Sequence, residues 1–254
     1  MLSADQLHRL TKKYKINESV ILREYFQLLA LQKIYSFPES AKVFLKGGTC
    51  LHLIYGAPRF SEDLDFTVNF PEVEFLEFIK QPFKELAHEN KAQIKEKKAM
   101  VGKSFLLTAE SDLIKGNIFI SFDFSFRETV LDPEKKVIET EFPVLFNNYL
   151  NCLSAEEILA EKVRAILSRD QGRDLYDLWY LLSRGTVFRK DFIQKKLAYY
   201  KLDKVDILKR LKEKVEKISV EGFIADLRPF IPVNDREKLG FFYGYIKDFI
   251  LKKL

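Results

Sequence analysis

Apolar residues recur at helical spacing through the first ~36 positions, for instance Ile21, Tyr25, Leu28, Leu29 and Leu31, and predict helix there. Ser3 with Gln6 three residues on has the form of a capping box. Phe37-Pro38-Glu39-Ser40 breaks the pattern, and Val43-Phe44-Leu45 is a short strand running into Lys46-Gly47-Gly48-Thr49. Cys50 to Tyr55 reads as a helix that stops at Gly56-Ala57-Pro58. Ser61 to Phe70 alternates, with Leu64, Phe66 and Val68 on one side and Asp63, Asp65 and Thr67 on the other, which predicts a strand with one buried face. Residues 72–90 read as helix, and 104–109 and 117–127 as strands. In the last of these, Ile118, Ile120, Phe122, Phe124 and Phe126 oppose Ser121, Asp123, Ser125 and Arg127. Lys95-Glu96-Lys97-Lys98 reads as an exposed loop or the flank of a hairpin. From about Asn147 the pattern is helical to the end. Ser154-Ala155-Glu156-Glu157 predicts a capping box, and Leu175, Leu178, Trp179 and Leu182 form a stripe.

This order predicts an α/β (α+β) protein, with an α/β half at 1–145 and a helical half at 146–254. The boundary is soft, and the halves fold either separately or as one unit. A chain of 254 residues is enough for one large domain or two small ones without staples. With 47% hydrophobic and 31% charged residues, a disordered or low-complexity protein is excluded. No apolar run reaches the ~18 residues of a membrane span. The polar start Met1-Leu2-Ser3-Ala4-Asp5-Gln6 argues against a secretory signal, and two cysteines, Cys50 and Cys152, make no disulfide framework. A cytoplasmic location without membrane attachment is expected.

Splitting the charge changes the picture. Residues 1–145 carry 20 basic against 21 acidic residues, and residues 146–254 carry 22 against 16. Arg189 to Lys217 alone has 11 against 5. Such a stretch either attracts a polyanion or forms solvated helix faces.

The chemistry centres on Asp63 and Asp65. Side chains two apart on a strand share a face, with Cα atoms ~6.6 Å apart, so the carboxylates can converge. Unpaired they repel; a divalent cation such as Mg²⁺ or Mn²⁺ resolves the conflict. Asp123 offers a third carboxylate from another strand. An isolated Asp-x-Asp is more often a solvated pair. Here it follows a strand, a Gly-Gly-Thr turn and a helix. Glycines let backbone approach a ligand, and helix-start N–H groups with the Thr49 hydroxyl can hold phosphate. Lys162 falls within the apolar stripe of Ile158, Leu159, Val163 and Ile166, so its amine either snorkels to water or reaches an anion. Asp174 and Asp177 lie on one flank of the next helix, with Arg169 and Arg173 nearby. His8, His52 and His88 have no ligand spacing, and neither a Walker nor a Rossmann glycine motif is present.

These residues resemble the nucleotidyltransferases of the DNA polymerase β type, with a Gly-Gly turn followed about a dozen residues later by Asp-x-Asp. Lys46-Gly47-Gly48-Thr49-Cys50-Leu51 and Arg59-Phe60-Ser61-Glu62-Asp63-Leu64-Asp65-Phe66 resemble the AbiEii/AbiGii toxin family more closely, together with the related MenT toxins. The likeness continues in Glu157-Ile158-Leu159-Ala160-Glu161-Lys162-Val163-Arg164-Ala165 and Arg173-Asp174-Leu175-Tyr176-Asp177-Leu178, spanning about residues 44–182. Thirteen residues separate Thr49 from Asp63, a little more than the commonest family spacing.

The resemblance implies a polymerase β-type core with a mixed sheet, followed by helices. It implies metal ligation by Asp63 and Asp65, with Asp123 as third ligand or as the base for an acceptor hydroxyl. Lys46, Gly47, Gly48 and Thr49 would bind the NTP, with Lys162 on its phosphates. Arg59 and Ser61 would either contact phosphate or fix the turn. Asp174 would be an active-site residue orienting Lys162 or the acceptor, and Asp177 a structural one. The implied function is nucleotide transfer from an NTP to an RNA such as the tRNA 3′ end, by the toxin of a type IV-like pair with a winged-helix antitoxin. The alternatives are transfer to a small molecule or protein hydroxyl, and a binding module without catalysis.

Overall fold

A computed structural model describes residues 2–202 and 206–254; Met1 of the polar N-terminal stretch and three positions of the basic Arg189–Lys217 stretch lie outside the described residues. The chain divides into two compact units, Met1–Gly56 with Phe60–Leu153, and Ala57–Arg59 with Ser154–Leu254.

The first unit opens with α1 (Ala4–Tyr14), for which Ser3 and Gln6 form the expected reciprocal cap. Helix α2 (Glu18–Ile34) follows, then a 3-10 turn over Pro38–Lys42. The next elements are β1 (Val43–Lys46), α3 (Gly47–Leu53), β2 (Leu64–Val68) and α4 (Glu72–Glu89). The strands β3 (Ala92–Lys97), β4 (Lys103–Glu110), β5 (Asn117–Ser125), β6 (Pro133–Lys136) and β7 (Leu150–Leu153) complete it. Among the described residues the seven strands form one mixed sheet in the order β3-β4-β5-β2-β1-β7-β6. The β2–β5 and β1–β7 pairs are parallel and the others antiparallel.

The alternation read from β5 is the alternation built. Ile118, Ile120, Phe122 and Phe124 are buried, whereas Ser121, Asp123 and Ser125 are half-buried. Phe75 of α4 packs on Phe124 with ring centroids 4.5 Å apart, and Phe83 on Phe122 at 5.0 Å. Phe66 of β2 stacks on Phe124 at 4.8 Å. This aromatic layer fixes which face of the sheet α4 covers, and the pleat then puts Asp65 and Asp123 on the other face.

Two strands, β6 and β7, escape the sequence pattern. β7 is buried at all four positions, so it shows no alternation, and its apolar run merges into the helix that follows. The hydroxyl of Tyr35 lies 2.9 Å from the carbonyl oxygens of both Val43 and Asn151, tying β1 to β7. β3, with lysines at Lys95 and Lys97, is the flank of a hairpin with β4, one of the two readings of Lys95–Lys98, and as an edge strand its charge suits its place. Because residues 150–153 pair within the sheet, the first unit extends to Leu153, beyond the expected boundary at 145.

The second unit holds α5 (Ala155–Ser168), α6 (Gly172–Ser183), α7 (Lys190–Ala198), α8 (Ile207–Lys217), α9 (Val220–Leu227) and α10 (Leu239–Lys253). α5 packs against α6, α7 and α8, and α6 against α9 and α10. The Ser154 hydroxyl accepts from the Glu157 N–H at 3.1 Å, but the Glu157 carboxylate lies 2.7 Å from Lys196, which redirects the expected box. Gly172 lies so close to Phe223 that a Cβ would collide with its Cα, and its N–H donates to Asp226 at 2.7 Å. Among the described residues no helix is long and apolar enough to cross a membrane.

Candidate active site

In the first unit the glycine turn and the aspartates are aligned by register. Lys46 at the end of β1 pairs with Asp65 on β2, and Asp65 pairs with Asp123 on β5. Adjacent strands lie about 4.8 Å apart, so the backbones of the two aspartates are immediate neighbours. Gly47 follows Lys46 with φ +74°, in the left-handed region that favours glycine. A Cβ there would collide with Asp65 Oδ2, so only glycine lets this carboxylate lie against the turn. Asp63 stands just before β2, two positions from Asp65. All three aspartates are half-buried.

Thr49 is buried, and its hydroxyl donates to the Asp63 carbonyl at 2.5 Å. The glycine-turn helix is thereby clamped to the segment carrying Asp-x-Asp. Lys46 is buried beside them, and Gln27 donates to the Ser61 carbonyl at 3.2 Å, holding the approach to β2. Among the described residues no three His, Cys, Asp or Glu side chains converge tightly enough to form a metal cage.

The second unit gathers the other predicted residues into a buried charge cluster. The Lys162 amine lies 3.0 Å from Asp174 Oδ1 and 2.7 Å from Asp177 Oδ2. Arg59 meets Asp177 with two donors, Nε to Oδ1 at 2.5 Å and Nη2 to Oδ2 at 2.6 Å. Arg169 Nε reaches Asp174 Oδ2 at 2.7 Å. Lys162 therefore reaches carboxylates of its own unit and does not snorkel. Arg59, expected either on phosphate or as a brace of the turn, is only 2% exposed and spends two donors on Asp177.

The cluster sets its own ionisation. Burial pulls the Asp177 carboxyl up, but Arg59 and Lys162 outweigh it and hold it below the ordinary carboxylate range. Burial acts likewise on Asp174, and Lys162 and Arg169 drive it well below that range. Burial lowers the Lys162 amine, yet Asp177 and Asp174 raise it above its usual value. A second buried group was not anticipated: Lys196 of α7 lies 2.7 Å from Glu157 and 3.1 Å from Glu161, both on α5. The signal was the i, i+4 spacing of these glutamates on a helix otherwise rich in apolar positions.

The fold is that of nucleotidyltransferase toxins. A crystal structure of JHP933 from Helicobacter pylori is similar over 94% of both chains, with TM-score 0.58 and 22% identity. MenT4, a nucleotidyltransferase toxin from Mycobacterium tuberculosis, is similar over 98% of this chain and 90% of its own, with TM-score 0.56 and 18% identity. An uncharacterized protein of Aquifex aeolicus is 34% identical over 161 residues, 61% of this chain and 65% of its own length. The family model for the nucleotidyl transferase AbiEii toxin of type IV toxin–antitoxin systems matches residues 29–242, and the chain belongs to that family.

Proposed function

We propose that the protein is a Mg²⁺-dependent nucleotidyltransferase that moves a nucleoside monophosphate from an NTP to an RNA hydroxyl, such as the tRNA 3′ end. We assign it the toxin role in a type IV-like pair with a winged-helix antitoxin. One observation carries the reading: the Gly47 turn, Asp65 and Asp123 stand in one register row across β1, β2 and β5.

The donor set fits Mg²⁺, or Mn²⁺, without a closed cage. Mg²⁺ is ordinarily held by one or two carboxylates together with water and substrate phosphate. Asp63 and Asp65 supply hard oxygens, and Asp123 stands beside them as third ligand or base. When bound, the cation neutralises triphosphate charge and polarises the α-phosphate. Gly47, Gly48 and Thr49 lie in the first turn of α3, whose N–H groups have no partner within the helix and can hold phosphate oxygens. The acceptor oxygen bonds to the α-phosphorus while the bond to the bridging oxygen breaks. Pyrophosphate leaves with that electron pair, and in this reading the acceptor proton passes to the Asp123 carboxylate. Positioning and charge neutralisation supply most of the rate. The basic excess of residues 146–254 supports a polyanionic acceptor.

The test is incubation with each α-³²P-labelled NTP, Mg²⁺ and total tRNA, beside Asp65→Ala. Label on RNase-sensitive material that vanishes in the variant is expected. Asp65-dependent label on a small molecule or protein would overturn the acceptor. No Asp65-dependent label on any acceptor would overturn the enzyme.

A further inference from the structure

The carboxylate-bearing face of the sheet extends well beyond the aspartates. Register pairs place Lys46, Asp65, Asp123, Ser104 and Lys97 in one row across β1, β2, β5, β4 and β3. The next row on this face is Ser121, Leu106 and Lys95, and the one beyond it Phe119, Thr108 and Gln93. α4 packs on the opposite face through Phe75 and Phe83. Phe119 breaks the polar alternation of its strand and is 49% exposed. An aromatic ring at this position contributes little to the core, whose layer lies on the other side. Lys95 and Lys97 are exposed, and the Lys97 amine donates to the Ser121 hydroxyl at 3.3 Å, spanning β4 to stand over β5. Glu110, at the far end of this face beside Asn117, is the acidic exception.

We propose that this face is the acceptor platform: a single-stranded RNA end lies across β3, β4 and β5, with a base stacked on Phe119 and phosphates on Lys95 and Lys97. This rests on the nucleotidyltransferase reading above. An exposed aromatic with interleaved lysines on an open sheet is the chemistry that holds single strands, because every base has a π-face and every phosphate a charge. Phe119 lies four residues from Asp123 on the same strand, about 13 Å along it. A strand anchored there ends at the aspartates. The charge is complementary as well: Lys95 and Lys97 stand on the edge strand to one side of the carboxylates, so the acceptor backbone is drawn to that edge while its terminal hydroxyl meets the acids.

The experiment measures anisotropy of a fluorescent single-stranded RNA of about 12 nucleotides with a free 3′ hydroxyl, over a salt series, and then the acceptor KM. Phe119→Ala should weaken binding about ten-fold and raise the acceptor KM with little change in NTP KM, while Phe119→Trp stays near wild type. Lys95→Ala with Lys97→Ala should reduce the slope of log affinity against log salt by about 1.4. Asp65→Ala should bind RNA normally while transferring nothing. If wild type labels RNA but the Phe119 and lysine variants match it in affinity, slope and KM, the platform is wrong and the enzyme reading stands. If wild type neither binds nor labels RNA, while Asp65-dependent label appears elsewhere, the acceptor and the platform both fall. If Phe119→Ala instead abolishes binding of a protein partner and leaves RNA untouched, the face is a protein interface and the proposal is overturned.

Discussion

The two units each concentrate aspartates, but they treat them oppositely. In the helical unit Asp174 and Asp177 are buried and surrounded by Lys162, Arg59 and Arg169, so their charge is compensated inside the protein. In the sheet unit Asp63, Asp65 and Asp123 stay half-buried on one face. Buried charge that is already paired serves the fold, because removing one partner strands the others. The half-buried carboxylates of the sheet face are the ones proposed above to meet the cation. The same residue type carries two different tasks, and its surroundings decide which.

The sharpest way to break this comparison is to remove one acid from each unit. Asp65→Ala should lower nucleotide transfer by about a hundred- to a thousand-fold, the loss expected when a group that stabilises transition-state charge is removed. Its thermal midpoint should remain close to wild type. Asp177→Ala should do the reverse, leaving Arg59 and Lys162 buried without that partner. It should cost about 3–5 kcal/mol in urea denaturation. Equal destabilisation by both variants would erase the distinction.

Acid sharpens it further. Asp174 and Asp177 titrate below the ordinary value of about 3.9 when folded. Their stabilisation is therefore full above about pH 4 and is lost as pH falls through the lower folded values. The urea midpoint should drop below pH 4 in wild type and drop less in Asp177→Ala. Lys162 is raised instead, so its share persists until pH exceeds about 10.4. The smallest effect is expected from Arg169→Ala. Its side chain is 53% exposed, so solvent screens the pair and the cost should stay below about 1 kcal/mol.

Much of this was legible in the chain. Period-two alternation in β2 and β5 named the faces, and a Gly-Gly-Thr turn before Asp-x-Asp named the candidate site. The legible parts have strong local signals. β7 was not legible because its four residues are buried on both faces, and a short apolar run has no period. β3 was legible as the flank of a hairpin, although its lysines hide the strand alternation. The Arg59–Asp177 pair joins positions 118 residues apart, and spacing along the chain carries no trace of it. Lys196 likewise reads as one more cation in a basic stretch until burial puts it between Glu157 and Glu161.

The sheet order has a consequence for synthesis. β1, which leads into the glycine turn, is flanked by β2 and by β7, and Leu45 pairs with Cys152. At ~5–20 residues per second, the ribosome takes about 5–20 s to get from one to the other. During that interval the nascent chain can complete the aromatic layer and the row from Lys46 to Lys97, while β1 still presents an open edge. The residues that read as the start of a helix are the ones that close it, so a chain stalled before them would carry the aspartates on a sheet able to recruit a foreign strand.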